Sequence, residues 1–175
     1  MENYLSHLHL IRCFIFDVDG VLTDGKVLAL ESGEQARGFL VKDGYAIELA
    51  LKSGYHVAVI SGGAQVGVQK RLEFLKVNPI YLGVKNKVDQ FNQVCSDLKI
   101  QPDQVLYMGD DWPDFEVMQL AGIPACPADA VPEIKNISLY VSGHKGGEGC
   151  VRDVIEKVLK AQDNFHPTGK LSINN

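Results

Sequence analysis

Short apolar runs recur along the chain, and each stops at small or acidic residues. Ile11–Phe16 breaks off at Asp17-Val18-Asp19-Gly20, His56–Ile60 at Ser61-Gly62-Gly63, and Val105–Met108 at Gly109-Asp110-Asp111. Runs of this kind read as strands buried on both faces. Ile80–Leu82, Gly122–Cys126 and Leu139–Val141 predict three further strands. Between them the apolar period changes. Ile47, Ala50 and Leu51 recur at three- and four-residue steps, as do Val68, Leu72 and Leu75; Val88, Phe91, Val94 or Cys95, and Leu98; and Val151, Val154, Ile155, Val158 and Leu159. That is the spacing of helices with one buried face.

Punctuating residues place the element ends. Asp43 with Gly44 opens the first helix and Gly54 closes it, Asn86 caps the helix that begins at Lys87, and Pro113 and Pro132 suit first helical positions. From Lys26 to Val41, two strand-like runs flank Glu31–Glu34, which predicts a β-hairpin projecting beside the first acids. Ser142–Gly149 reads as a glycine-rich loop leading into the last helix. Residues 161–175 are polar and aperiodic, which predicts a mobile tail. Strands alternating with helices give an α/β fold, a doubly wound and mostly parallel sheet with right-handed crossovers.

A chain of 175 residues supports one domain, taken as residues 1–160. The net charge of −5 argues against nucleic acid as partner, so an anionic ligand needs local positive charge. Cys13, Cys95, Cys126 and Cys150 lie far apart without a C-x-x-C pair, so they read as small buried hydrophobes in a reducing compartment. No apolar stretch is long enough for a membrane span, and no basic segment precedes an apolar run at the N-terminus. A cytoplasmic location is the expectation.

In an open parallel sheet, ligands bind at the carboxyl ends of the strands. Asp17 and Asp19, Ser61, Lys87, and Asp110 with Asp111 and Asp114 all fall there. Each alone has an ordinary reading as a turn, cap or solvated residue. Lys87, however, occupies a helix's first turn, the less favourable end for a cation, which points to a specific anion beside it.

This set, in this order, resembles the haloacid dehalogenase superfamily of phosphotransferases from Arg12 to Leu159. Asp17-Val18-Asp19-Gly20-Val21 matches its first motif, Ser61 the second, Lys87 the third, and Gly109-Asp110-Asp111 with Asp114 the fourth. Attack by the Asp17 carboxylate on a phosphate dianion brings like charges together, at roughly 4 kcal/mol per unit pair at about 4 Å and an effective dielectric of 20. A divalent cation is therefore required, and oxygen ligands favour Mg2+. Asp17 and Asp110 would hold it by their side chains, and the resemblance adds the Asp19 backbone carbonyl. Ser61, the Gly62 amide and Lys87 would bind the phosphoryl oxygens. Asp19 would act as acid and then base, with Asp111 and Asp114 orienting Lys87 or a metal-bound water.

The gaps between motifs leave no room for a separate cap domain, and the specific resemblance is to the cap-less sugar-acid phosphatases that act on 3-deoxy-D-manno-octulosonate 8-phosphate. Asp17–Gly25, Val41–Tyr45, Gly109–Asp111 and Gly146–Arg152 carry it. The resemblance implies a small sugar-acid phosphate as substrate, a homotetramer and a place in lipopolysaccharide sugar synthesis. It departs at Gly63, where relatives carry a charged residue, so a related nonulosonate 9-phosphate is the alternative substrate. A sugar acid's carboxylate calls for a guanidinium or ammonium partner. Arg71 stands where the family has an Arg, and Lys70, Lys145 and Arg152 are further candidates. From another class, a receiver-like phosphoacceptor domain also combines acids, a hydroxyl and a lysine on such a sheet. Its acidic pair holds metal while the acceptor lies on a later strand, which Asp17-x-Asp19 and the place of Lys87 argue against.

Overall fold

Every residue of β1 (Cys13–Phe16) is buried, as an apolar run in the middle of a sheet requires. The computed structural model describes residues 4–166. Among the described residues, β1 is joined in one sheet by β4 (His56–Ile60), β5 (Ile80–Tyr81), β6 (Val105–Met108), β7 (Ile123–Cys126) and β8 (Tyr140–Val141). The order is β5-β4-β1-β6-β7-β8, and each neighbouring pair is parallel. The chain winds from β1 outward through β4 and β5, then crosses back to β6. Ends of β4, β1 and β6 therefore meet at the point where strand order reverses, the place such sheets bind ligands.

Alternation along the strands sends side chains to two cores. Phe14, Phe16, Val57, Val59, Leu106 and Met108 face α1 (Val41–Lys52), α2 (Val66–Phe74) and α6 (Cys150–Ala161). Cys13, Ile15, Ala58, Ile60, Val105 and Tyr107 face α3 (Lys87–Leu98), α4 (Phe115–Met118) and α5 (Pro132–Ile137). The five-residue stripe predicted on the last helix is wholly buried in α6, each such aliphatic side chain contributing about 1.5–3 kcal/mol. The four cysteines are free and buried. Among the described residues, no helix is long and apolar enough to cross a membrane.

Three boundaries differ from the sequence pattern. The hairpin expected from Lys26 to Val41 pairs only through β2 (Leu28–Ala29) and β3 (Gln35–Ala36), and Val41 already belongs to α1. Leu40, extended at ψ 125°, is the cap residue of α1, and Asp43 lies inside its first turn instead of opening it. Its carboxylate serves a different helix: Oδ1 accepts the Arg152 amide of α6 at 2.9 Å. Asp43 is buried, and burial pushes its carboxyl upward against the opposing hydrogen bonds from the Arg152 and Gly149 amides. Replacing it by Ala strands first-turn donors of α6. Asp43→Ala is expected to lower unfolding free energy by about 1–3 kcal/mol, measured by urea denaturation.

The tail expected to loosen from residue 161 is instead fastened at its start. The Gln162 side chain accepts from Arg12 and Tyr55 and donates to the Leu8 and Ile11 carbonyls. Asn164 donates to Tyr55, and the Lys160 ammonium lies 4.6 Å from the Phe165 ring centroid. The remainder of that predicted tail, 167–175, lies outside the described residues.

Candidate active site

Asp17 is the first residue past β1, and its amide donates to the Met108 carbonyl at 3.1 Å. Pairing of β1 with β6 thus continues to the point where both chains leave the sheet, which sets Asp17 beside Gly109 and Asp110. A tight turn through Val18–Leu22 then folds back over the strand ends. Gly20 makes it possible: its φ is 86°, and a β-carbon there would overlap the Asp110 carboxylate.

One carboxylate oxygen from each of Asp17, Asp110 and Asp114 lies within 4.8 Å of the others. At an effective dielectric of 20, each pair of full charges at that separation repels by about 3–4 kcal/mol. Burial pushes Asp17 up to about 7, with the Asp114 charge adding and Lys87 opposing. Asp110 is pushed up to about 8, by burial first and then by the charges of Asp17, Asp114 and Asp111.

Lys87 supplies the anion-facing cation that its helical position implied. The Asn86 side chain accepts from the Val88 and Asp89 amides, starting α3 so that Lys87 turns back into the site. Its Nζ lies 2.7 Å from Asp114 Oδ1 and 3.1 Å from Asp17 Oδ2. Burial works against that ammonium, but the two carboxylates hold it above its ordinary range. Tyr107 donates its hydroxyl to the same Asp114 oxygen at 2.8 Å.

Asp17 Oδ1 and Asp114 Oδ2 are buried and have no hydrogen-bond partner. A buried acceptor left so costs about 1–3 kcal/mol, more when charged, and a hard divalent cation is the natural partner for clustered carboxylate oxygens. The residues fit magnesium. Asp114 completes the acidic cluster alongside Asp17 and Asp110, with one oxygen committed to Lys87 and Tyr107.

Ser61 and Gly62 complete the opposite wall. Ser61 is buried, its Oγ accepts the Gly63 amide at 3.3 Å, and the loop is pinned where Gly83 donates to the Gly63 carbonyl and Val84 to that of Ser61. A pocket of about 550 Å³ is lined by Asp17, Asp19, Ser61, Gly62, Lys85, Lys87, Asp110, Asp111 and Asp114.

Three of the residues singled out in the sequence have their side chains engaged elsewhere. Asp111 does not touch Lys87; its Oδ1 accepts the Trp112 amide at 2.8 Å and caps the turn that leads into α4. Arg71 does not line the pocket. Its guanidinium lies over the Phe74 ring at 5.7 Å and fills the notch that Gly44 leaves in α1. Arg152 pairs with Glu156 at 2.6 Å on its own helix. Conversely, Arg37 from the hairpin reaches Asp19, with Nε 2.6 Å from Oδ1 and Nη2 3.2 Å from Oδ2.

The sequence model of a family of haloacid dehalogenase-like hydrolases matches residues 80–155. The 3-deoxy-D-manno-octulosonate 8-phosphate phosphatase of Yersinia pestis is 37% identical over 163 residues, 93% of this chain and 87% of that protein. The chain belongs to the haloacid dehalogenase-like hydrolases. Within them, the octulosonate 8-phosphate phosphatase of Escherichia coli K12 is 40% identical over 87% of this chain and 81% of its own length. Solved structures agree on the hydrolase fold, and among the described residues this chain carries no separate cap. The Yersinia pestis phosphatase superposes with a TM-score of 0.91 at 36% identity, covering 93% of this chain and 88% of that one. The Moraxella catarrhalis phosphatase, solved with a magnesium ion, a phosphate ion and a KDO molecule, also gives 0.91, at 31% identity over 94% and 95%.

Proposed function

We propose that this hydrolase is a magnesium-dependent phosphatase that converts 3-deoxy-D-manno-octulosonate 8-phosphate into the free sugar acid and inorganic phosphate. The observation that carries the reading is the meeting of Asp17, Asp110, Lys87 and Ser61 around one pocket, with Asp19 on its wall. The relatives that act on this substrate, and the magnesium, phosphate and sugar acid in one of them, support the choice of substrate class.

Asp17, Asp110 and the Asp19 carbonyl would hold magnesium, which when bound screens the charge between the attacking carboxylate and the phosphoryl group. An Asp17 oxygen attacks phosphorus as the bond to the sugar oxygen breaks, giving a phosphoaspartate. Asp19 hands its proton to the departing alkoxide. It then takes a proton from the water that attacks the same phosphorus, which frees phosphate and restores Asp17. Lys87, held by Asp114 and Tyr107, and the Ser61 hydroxyl with the Gly62 amide bind the equatorial oxygens as charge spreads over them. Lys87→Met is expected to lower kcat by about 10²–10³-fold, read in steady-state phosphate release.

The protein acts as a homotetramer in the cytoplasm, on the route to a lipopolysaccharide sugar. Support for self-association comes from Val27 and Leu28 on the hairpin and Val66 and Phe74 on α2, apolar side chains that one chain leaves exposed. Sedimentation equilibrium checks it by the number of chains per particle. Purified protein should release phosphate from octulosonate 8-phosphate, in the presence of magnesium, with a higher kcat/KM than from nonulosonate 9-phosphates or neutral sugar phosphates. A ranking led by a nonulosonate moves the assignment to that substrate, and phosphate release unaffected by chelator removes the mechanism.

A further inference from the structure

Arg37 follows β3 in a hairpin whose paired residues are all exposed, yet its own side chain is turned inward and only 5% exposed. It ends on Asp19 in a two-point fork, at 2.6 and 3.2 Å, while Nη1 donates to the Gln35 carbonyl at 3.3 Å. A guanidinium only donates hydrogen bonds. Asp19, in the reaction proposed above, must face the leaving sugar oxygen and give it a proton. What covers the Asp19 carboxylate in the resting protein therefore covers the place of the leaving group.

That leaving group is itself an anion. The pocket wall it meets carries Asp17, Asp19, Asp110 and Asp111 against two lysines, of which Lys87 is already tied to Asp17 and Asp114 and Lys85 offers a single ammonium without a planar fork. Position 63 beside the fork is glycine, and the space a β-carbon would take there is bordered by the movable Gln65 side chain, with Oε1 at 2.7 Å, and by Asp19 Oδ2 at 3.5 Å. On its other side Arg37 lines a cavity of about 730 Å³ between the hairpin and Gly147–Glu148. Two-residue strands hold the hairpin only weakly, so the fork is free to be re-aimed. A second carboxylate offers the guanidinium the same planar, two-oxygen partner it has in Asp19.

We propose that Arg37 is the receptor for the substrate's carboxylate, exchanging Asp19 for it when the sugar-acid phosphate enters; the inference rests on the substrate class assigned above. Binding then does two things at once. It anchors the sugar acid and uncovers Asp19.

The test compares kcat/KM for octulosonate 8-phosphate with kcat/KM for mannose 6-phosphate, which has no carboxylate, in wild type, R37M, R37K and K85M. The ratio is expected to fall roughly 10–100-fold in R37M, with the loss carried by KM for the sugar acid. R37K, which keeps the charge and loses the fork, falls between. K85M keeps the ratio. Inhibition by the free sugar acid, without its phosphate, should weaken in parallel, and R37K carries the reading should R37M fail to fold. A loss in R37M common to both substrates overturns the inference, as does a ratio that collapses in K85M instead. Wild type without preference for the sugar-acid phosphate removes the substrate reading and this inference together, whereas a preference that survives R37M and R37K removes this inference alone.

Discussion

Asp17→Asn is expected to lower turnover by roughly 10⁴–10⁶-fold, the scale on which loss of a covalent nucleophile is felt, while making the metal-free protein harder to unfold. The amide matches the carboxylate in shape, so Lys87 keeps Asp114 and the strand ends keep their places. What disappears is the oxygen that attacks phosphorus. What also disappears is one of three acids crowded within 4.8 Å in a site where burial already pushes Asp17 up to about 7. Opposite movements in activity and stability follow, a pattern expected where function holds groups in an unfavourable environment. Phosphate release at saturating substrate and magnesium reads the first effect, and a thermal melt in chelator at pH 8 reads the second. Turnover within about tenfold of wild type would remove Asp17 from the nucleophile's role.

Chelation should make stability depend on pH in a stated direction. Asp17 and Asp110 both titrate in the folded chain well above the ordinary carboxylate range, at about 7 and about 8, because burial and neighbouring acids disfavour their charge. Between about pH 4 and these values the folded state holds protons that the unfolded state has released. Stability contributed by these two groups is therefore present at low pH and lost as pH rises through 7 to 8. Magnesium replaces those protons. Its addition should raise the melting temperature more at pH 8 than at pH 6 and should release protons, measurable by calorimetry in buffers of different ionisation enthalpy. A magnesium effect that is flat or larger at pH 6 contradicts the cluster as the cation's seat.

Much of the sheet could be read from the chain because its strands are short, continuously apolar and flanked by breakers, and because the α6 stripe keeps one period from Val151 to Leu159. The strand-end acids could be read for the same reason: once the strands are placed, topology brings their ends together. Arg37 could not. Its inward turn depends on how a ribbon of two-residue strands bends over the site, and no period in Lys26–Val41 records that. Tyr107 reads as one more buried strand residue until the turn before α4 brings Asp114 to its hydroxyl. Arg71 shows the reverse case. The resemblance to the family singles it out, but the missing side chain of Gly44 opens a notch on the neighbouring helix, and the guanidinium settles there.

The strand order β4-β1-β6 also sets when the catalytic centre comes into being. Asp17, Ser61 and Asp110 are distant along the chain: β4 docking on one edge of β1 brings Ser61 to Asp17, and Asp110 joins them only when β6 docks on the other edge. A half-synthesised polypeptide thus offers no cation trap, because the clustered carboxylates meet only with the last central strand.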